Sequence, residues 1–158
     1  MRTRSLIIAI FILIIDQIVK ISIDSFLRIS ELITVIPNFF YITKVYNDGA
    51  AWSIFDGSVA FLIIVAIVAL IFLISYQKIF QKNFRNIVAF ALIYGGLLGN
   101  LVDRIVYGYV IDYIKLLFGN FSFPVFNLAD MAIVSGFILL IYAVLRGEDK
   151  NGFSSKDK

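Results

Sequence analysis

Between Val59 and Tyr76 the chain runs for 18 residues without a charge. A helix needs about 20 apolar residues to cross the hydrocarbon core of a bilayer, so this stretch reads as a membrane span. Three further apolar segments accompany it, and the spacing predicts helices over about 5–23, 59–76, 87–106 and 126–145 of a single 158-residue integral membrane domain. The composition agrees: 61% of residues are hydrophobic and the mean hydropathy is +0.94, whereas soluble domains are about half apolar. The first segment follows Met1-Arg-Thr-Arg4 and begins with the apolar run Leu6–Ile15, as a secretory signal would. No small-x-small cleavage site follows, and the pattern resumes beyond Asp16 and Lys20, so it is read as a retained helix.

Charge orients the bundle. Nine of the 14 basic residues lie near the termini or in the 77–86 loop, among them Arg2, Arg4, Lys78, Lys82, Arg85 and Arg146. The remaining segments hold eight of the 11 acids, so the net charge of +3 is an inside-positive asymmetry and not a nucleic-acid surface. With an even number of helices, both termini are expected in the cytoplasm, with a charged tail over 146–158. An outer region over about 26–55 and an outer loop over 107–125 then face the other side. Within the first of these, Ile33–Ile36 and Phe39–Tyr46 flank a Pro37-Asn38 turn and read as short strands, with Asn47-Asp48-Gly49 as the next turn. Phe39, Phe40, Tyr41, Tyr46 and Trp52 sit either at headgroup depth or packed on the bundle.

The chain has no His and no Cys. Imidazole and thiolate metal ligands, thiol nucleophiles and His-assisted serine hydrolysis are therefore excluded. What remains is carboxylate chemistry. Asp112 in Val110-Ile-Asp-Tyr113 and Asp130 in Phe126-Asn-Leu-Ala-Asp130 flank the start of the fourth helix, on the same side of the membrane. Acids at such a depth are costly, and two that meet share a proton. Asp130 also has a bland reading, because Asn127-x-x-Asp130 is a helix-capping pattern. Asp16 and Lys20 share a helix face four residues apart, either as a self-neutralising pair or as part of a site. Gly95 and Gly99 are spaced for close helix approach, and Gly96, Asn100, Asp103 and Arg104 continue along an inward stripe, again either as packing plus a self-satisfied polar network or as site residues.

Five blocks, Asp16-Gln17-x-x-Lys20, Asn47-x-Gly49-Ala50-Ala51-Trp52, Gly96-x-x-Gly99-Asn100-x-x-Asp103-Arg104, Val110-x-Asp112-Tyr113 and Phe126-Asn127-x-Ala129-Asp130, resemble in order the signature blocks of the lipoprotein signal peptidases, or signal peptidase II. Trp52 and Tyr113 stand where Phe is common in that family. The resemblance implies an all-α membrane protein, a four-transmembrane-helix bundle with a small extracytoplasmic β-cradle and a mobile outer segment. It implies an aspartic endopeptidase of the bacterial inner membrane that cuts diacylglyceryl-modified prolipoproteins just before the lipidated cysteine. Asp112 and Asp130 match the catalytic pair. Asp16, Lys20, Asn47, Gly49, Asn100, Asp103, Arg104 and Asn127 match positions that support the pair or hold substrate. The resemblance implies no metal or other cofactor, and its expected partners are prolipoproteins and membrane lipids, with a monomer acting near the outer face.

Three other readings compete on the residues alone. A proton or ion transporter would also use intramembrane acids, but it would distribute them through the membrane, whereas here the cytoplasmic halves of the helical segments lack them. A Ser-Lys peptidase has Lys20, Lys44 and Lys115 available, but no serine in a nucleophile context. A purely structural bundle built on the glycine face is the third alternative.

Overall fold

A computed structural model describes residues 1–49, 55 and 57–149. Trp52, Ala50, Ala51 and the charged tail beyond Asp149 lie outside the described residues. The elements, in chain order, are α1 (Arg2–Phe26), β1 (Leu32–Ile36), β2 (Phe40–Asn47), α2 (Val59–Tyr76), α3 (Phe84–Val106), β3 (Val110–Phe118), β4 (Phe121–Ser122) and α4 (Leu128–Leu145). All four helices are long and apolar enough to span a membrane.

α3 is the central helix, buried along most of its length, and it packs chiefly against α4 and α1. The glycine stripe allows this approach. A Cβ on Gly95 would come within 2.7 Å of Ile12 on α1, and one on Gly99 within 2.5 Å of the Asp16 carboxylate. A Cβ on Gly96 would strike the Ala129 carbonyl of α4. α2 is the least buried helix and presents Ile64, Val68 and Phe72 outward, an arrangement suited to hydrocarbon and not to water. The apolar core, including Ala9, Phe90, Tyr94 and Leu140, gathers where α1 and α3 begin. At that end Asn83 caps α3 by accepting from Asn86 N at 2.8 Å, and Glu148 returns to Asn83, Arg85 and Asn86.

The helix starts differ from expectation where charge hides them. α1 begins at Arg2 and runs to Phe26, and α3 begins at Phe84 and not at 87, because the polar first turn Phe84-Arg-Asn86 is held by the Asn83 cap. α4 begins at Leu128 and not at 126, since Phe126 pairs with Ile114. The larger correction concerns 107–125. It is not a loop: Val110–Phe118 is the third strand of an antiparallel sheet ordered β1-β2-β3-β4. The expected strands over 33–36 and 39–46 are present as β1 and β2, and β2 pairs with β3 so that Val45 faces Asp112 and Asn47 faces Val110. The aromatic residues are divided. Phe39 is exposed and meets Phe118 edge-on, while Tyr46 is half-buried and stacks on Tyr109 with ring centroids 4.2 Å apart.

Candidate active site

The start of α4 is fastened from several directions. The first N–H groups of a helix have no intrahelical acceptor. Here Leu128 N donates to the Tyr113 hydroxyl of β3 at 3.1 Å, and Ala129 N to Asp16 Oδ1 of α1 at 3.0 Å. Asp130 N donates to Asn127 Oδ1 at 2.9 Å, while Asp130 Oδ2 accepts from Asn127 N at 3.1 Å, closing a capping box. The capping pattern in the sequence is therefore real, and it fixes Asp130 in one orientation.

Asp112 approaches from the sheet. Tyr113 N and Ile114 N both donate to Phe126 O, and Phe126 N donates back to Ile114 O, so β3 delivers Asp112 beside Asn127. Asn127 Nδ2 donates to Asp112 Oδ1 and Asn47 Nδ2 to Asp112 Oδ2, each at 2.7 Å. Asn47 reaches it from β2 as a diagonal cross-strand neighbour. Asn127 Nδ2 also lies 3.1 Å from Asn100 Oδ1, and Asn100 Nδ2 donates to Asp130 Oδ1 at 2.7 Å. Asp112 and Asp130 are thus joined through two asparagine amides. Burial, followed by the nearby Asp130 charge, pushes the Asp112 carboxyl up to about 7 against the opposing hydrogen bonds from Asn47 and Asn127.

Behind the asparagines sits a buried ionic cluster. Lys20 Nζ lies 2.9 Å from Asp16 Oδ2, 2.8 Å from Asp103 Oδ2 and 2.9 Å from Asn100 Oδ1. All three ammonium protons have an acceptor. The expected Asp16–Lys20 pair is present, but it is half of a triad. Asp103 does not satisfy Arg104. Gln17 Nε2 reaches Asp103 Oδ1 at 2.8 Å, and Arg104 Nη2 donates to the Gly49 carbonyl at 2.9 Å. Gly49 N in turn donates to Asn47 Oδ1 at 3.0 Å, tying the end of β2 to α3.

Asp112, Asp130, Asn47, Asn100 and Arg104 form the polar end of a cavity of about 710 Å³, whose walls include Leu116, Phe118, Phe123, Phe126, Met131 and Val134. An apolar trough ending in two carboxylates and a guanidinium suits a peptide bond attached to a greasy group. Of the residues singled out in the sequence, Asn127 and Gly49 brace this end, and Asp16, Lys20 and Asp103 lie behind it. Among the described residues no cluster of three His, Cys, Asp or Glu side chains is placed to hold a metal ion. Two supporting residues escaped the candidate set although both stand in the quoted motifs. Gln17 lies one turn before Lys20 on the same helix, and the Tyr113 hydroxyl adjoins Asp112 in sequence. Burial pushes that hydroxyl up to about 12.

The family model described as signal peptidase (SPase) II matches residues 8–146. A lipoprotein signal peptidase of Staphylococcus aureus is 40% identical over 155 residues, covering 98% of this chain and 93% of its own. The lipoprotein signal peptidase of Staphylococcus haemolyticus (strain JCSC1435) is 43% identical over 145 residues, covering 91% and 92%. A solved structure described as a bacterial membrane enzyme superposes with a TM-score of 0.83 at 38% identity over 96% of this chain and 93% of that one.

Proposed function

This chain belongs to the signal peptidase II family, and from that membership we propose an aspartic mechanism in which Asp112 and Asp130 activate water to cleave prolipoproteins before a diacylglyceryl-modified cysteine. The observation that carries the reading is that two carboxylates from different elements meet one cavity through the Asn100–Asn127 bridge, with one of them raised to about 7.

Asp130, held by its capping box at the N-terminus of α4, acts as the general base. It takes a proton from water as the water oxygen attacks the scissile carbonyl carbon. Asp112 starts protonated and gives its proton to the carbonyl oxygen. Since both Asp112 oxygens already accept amide hydrogen bonds, its proton has the open side of the carboxyl to occupy. When the tetrahedral intermediate collapses, the C–N bond breaks, the proton held on Asp130 passes to the departing amine, and the hydroxyl formed from the carbonyl oxygen returns its proton to Asp112 as the new carboxyl C=O forms. Arg104 and Asn47 hold the substrate backbone, and the apolar walls take the lipid. A lipid-anchored substrate is confined to the membrane plane, so its scissile bond arrives at one depth.

The basic residues at the end where α1 and α3 begin support cytoplasmic termini and an active site near the outer face of the cytoplasmic membrane. The working unit in this proposal is a single chain. The deciding experiment is cleavage of a diacylglyceryl-modified prolipoprotein reporter by purified protein and by its Asp112→Asn and Asp130→Asn variants. Folded but inactive variants are expected; cleavage by both refutes the mechanism.

A further inference from the structure

A second cavity, of about 350 Å³, lies between the first turns of α1 and the start of α3. Arg4, Ile7 and Ile8 line it from α1, and Lys82, Phe84 and Ile87 from the α3 side. Arg4 precedes Asp16 by twelve residues on the same helix, a rise of roughly 18 Å, so the cavity is separate from the carboxylates.

Its two cations, Arg4 and Lys82, form no ion pair among the described residues, where the pairs are Lys20 with Asp16 and Asp103, Lys44 with Asp24, and Arg85 with Glu148. The returning chain end brings two acids to this side. Glu148 is held by Arg85, Asn83 and Asn86, and Asp149 forms no ion pair among the described residues. Two helix N-termini also point their partial positive charge this way. The apolar part of the wall is uncovered: Ile7 is 63% exposed and Phe84 77% exposed. A free anion would use the charges alone, whereas a molecule with a phosphate and a hydrocarbon chain uses the charges and the adjoining apolar side chains together.

We propose that this cavity binds an anionic phospholipid, its phosphate between Arg4 and Lys82 and the start of an acyl chain along Ile7 and Phe84. The volume suits a glycerophosphate headgroup, with the chains leaving over the apolar face of the bundle. A zwitterionic headgroup brings an ammonium into the same field and is disfavoured. A basic residue in contact with the bound phosphate contributes about a fivefold preference for anionic lipid, so the cavity pair supplies roughly 30-fold.

The full chain, delipidated in detergent, is titrated with phosphatidylglycerol or phosphatidylcholine, and bound lipid is counted by native mass spectrometry. A preference of roughly 30-fold for phosphatidylglycerol is expected, falling towards parity in Arg4→Gln/Lys82→Gln. Arg2→Gln/Lys78→Gln removes the same charge from the same end, outside the cavity, and keeps the preference. Equal loss in both pairs makes the effect diffuse surface charge and overturns the proposal, as does equal affinity for the two lipids in the unsubstituted protein. Displacement of the lipid by equimolar inorganic phosphate would instead identify a free-phosphate site and also overturn it. Phe84→Ser, at an exposed position where folding is insensitive, weakens long-chain but not short-chain phosphatidylglycerol; equal affinity for both chain lengths refutes the acyl contact.

Discussion

Asp112→Asn should make the protein more stable at neutral pH relative to acid pH, while removing its activity. Asp112 is 2% exposed and its carboxyl is raised from the ordinary 3.8 to about 7, with burial as the leading cause. Because the folded value lies above the unfolded one, the folded state holds the extra proton between them. The contribution to stability is full below 3.8 and is lost as pH rises through about 7. That interval corresponds to roughly 4 kcal/mol, or about 8–16 °C in Tm for a chain of this size. An amide does not titrate, so the variant lacks this loss. It carries instead a constant offset, because its NH2 must meet an amide donor of Asn47 or Asn127. Thermal unfolding of both proteins in one detergent, from about pH 4.5 to about pH 8.5, isolates the term, since the other titrating groups are common to both. The Tm of the variant minus that of the wild type should climb up to neutrality and then level off. A flat difference would refute the assignment of a protonated, buried Asp112, and with it the acid role.

Lys20→Met should destabilise by about 3–5 kcal/mol, because Asp16 and Asp103 remain buried without their cation. Adding Asp103→Asn should recover part of that loss in the same unfolding assay, and equal midpoints for all three proteins would refute the triad. Gly96→Ala should cost about 1–3 kcal/mol, since its Cβ strikes the Ala129 carbonyl and comes within 2.7 Å of Ile133 Cγ1. It should also slow reporter cleavage by shifting the turn that carries Asp130; unchanged stability and cleavage would refute the packing argument. Arg104→Ala loses a charged hydrogen bond of about 1.5–3 kcal/mol to Gly49, so reporter cleavage should fall by roughly one to two orders of magnitude with membrane insertion intact. Full activity in that variant would leave Arg104 no part in the site.

The parts of this fold written as local apolar pattern were legible. α2 runs from Val59 to Tyr76 as its uncharged stretch demands, and Asn127 caps α4 as its spacing indicates. β3 was not legible, because Val110, Ile111, Asp112 and Tyr113 are all buried. A strand covered on both faces loses the alternation by which strands are recognised, and the charges of Asp112 and Lys115 made it resemble a loop. In the site, contacts four residues apart on one helix could be inferred, as with Asp16 and Lys20. The neighbours Asp103 and Arg104 could not be paired by adjacency, since consecutive helical side chains diverge by about 100°. Asp103 instead turns to α1 and Arg104 to the end of β2. Those partners are set by helix packing, which the motif order names without giving its geometry.

If Asp130 acts as proposed, its two readings, cap and catalyst, are one arrangement. A cap alone requires only the Asn127 side chain, yet the first turn of α4 also takes a hydroxyl from β3 and a carboxylate from α1. The same carboxylate binds Lys20, whose third bond holds Asn100, and Asn100 holds Asp130. Stability does not account for this cluster. Burying two carboxyl groups around one ammonium is costly, and well-packed apolar side chains of similar volume often stabilise at least as well. Under the proposed mechanism the cost has a return: Asp130 must keep one rotamer while a flexible lipid-anchored peptide is admitted beside it. Rigid amide and ammonium contacts supply that constraint from the side away from the cavity, leaving the open side of both acids to water and substrate.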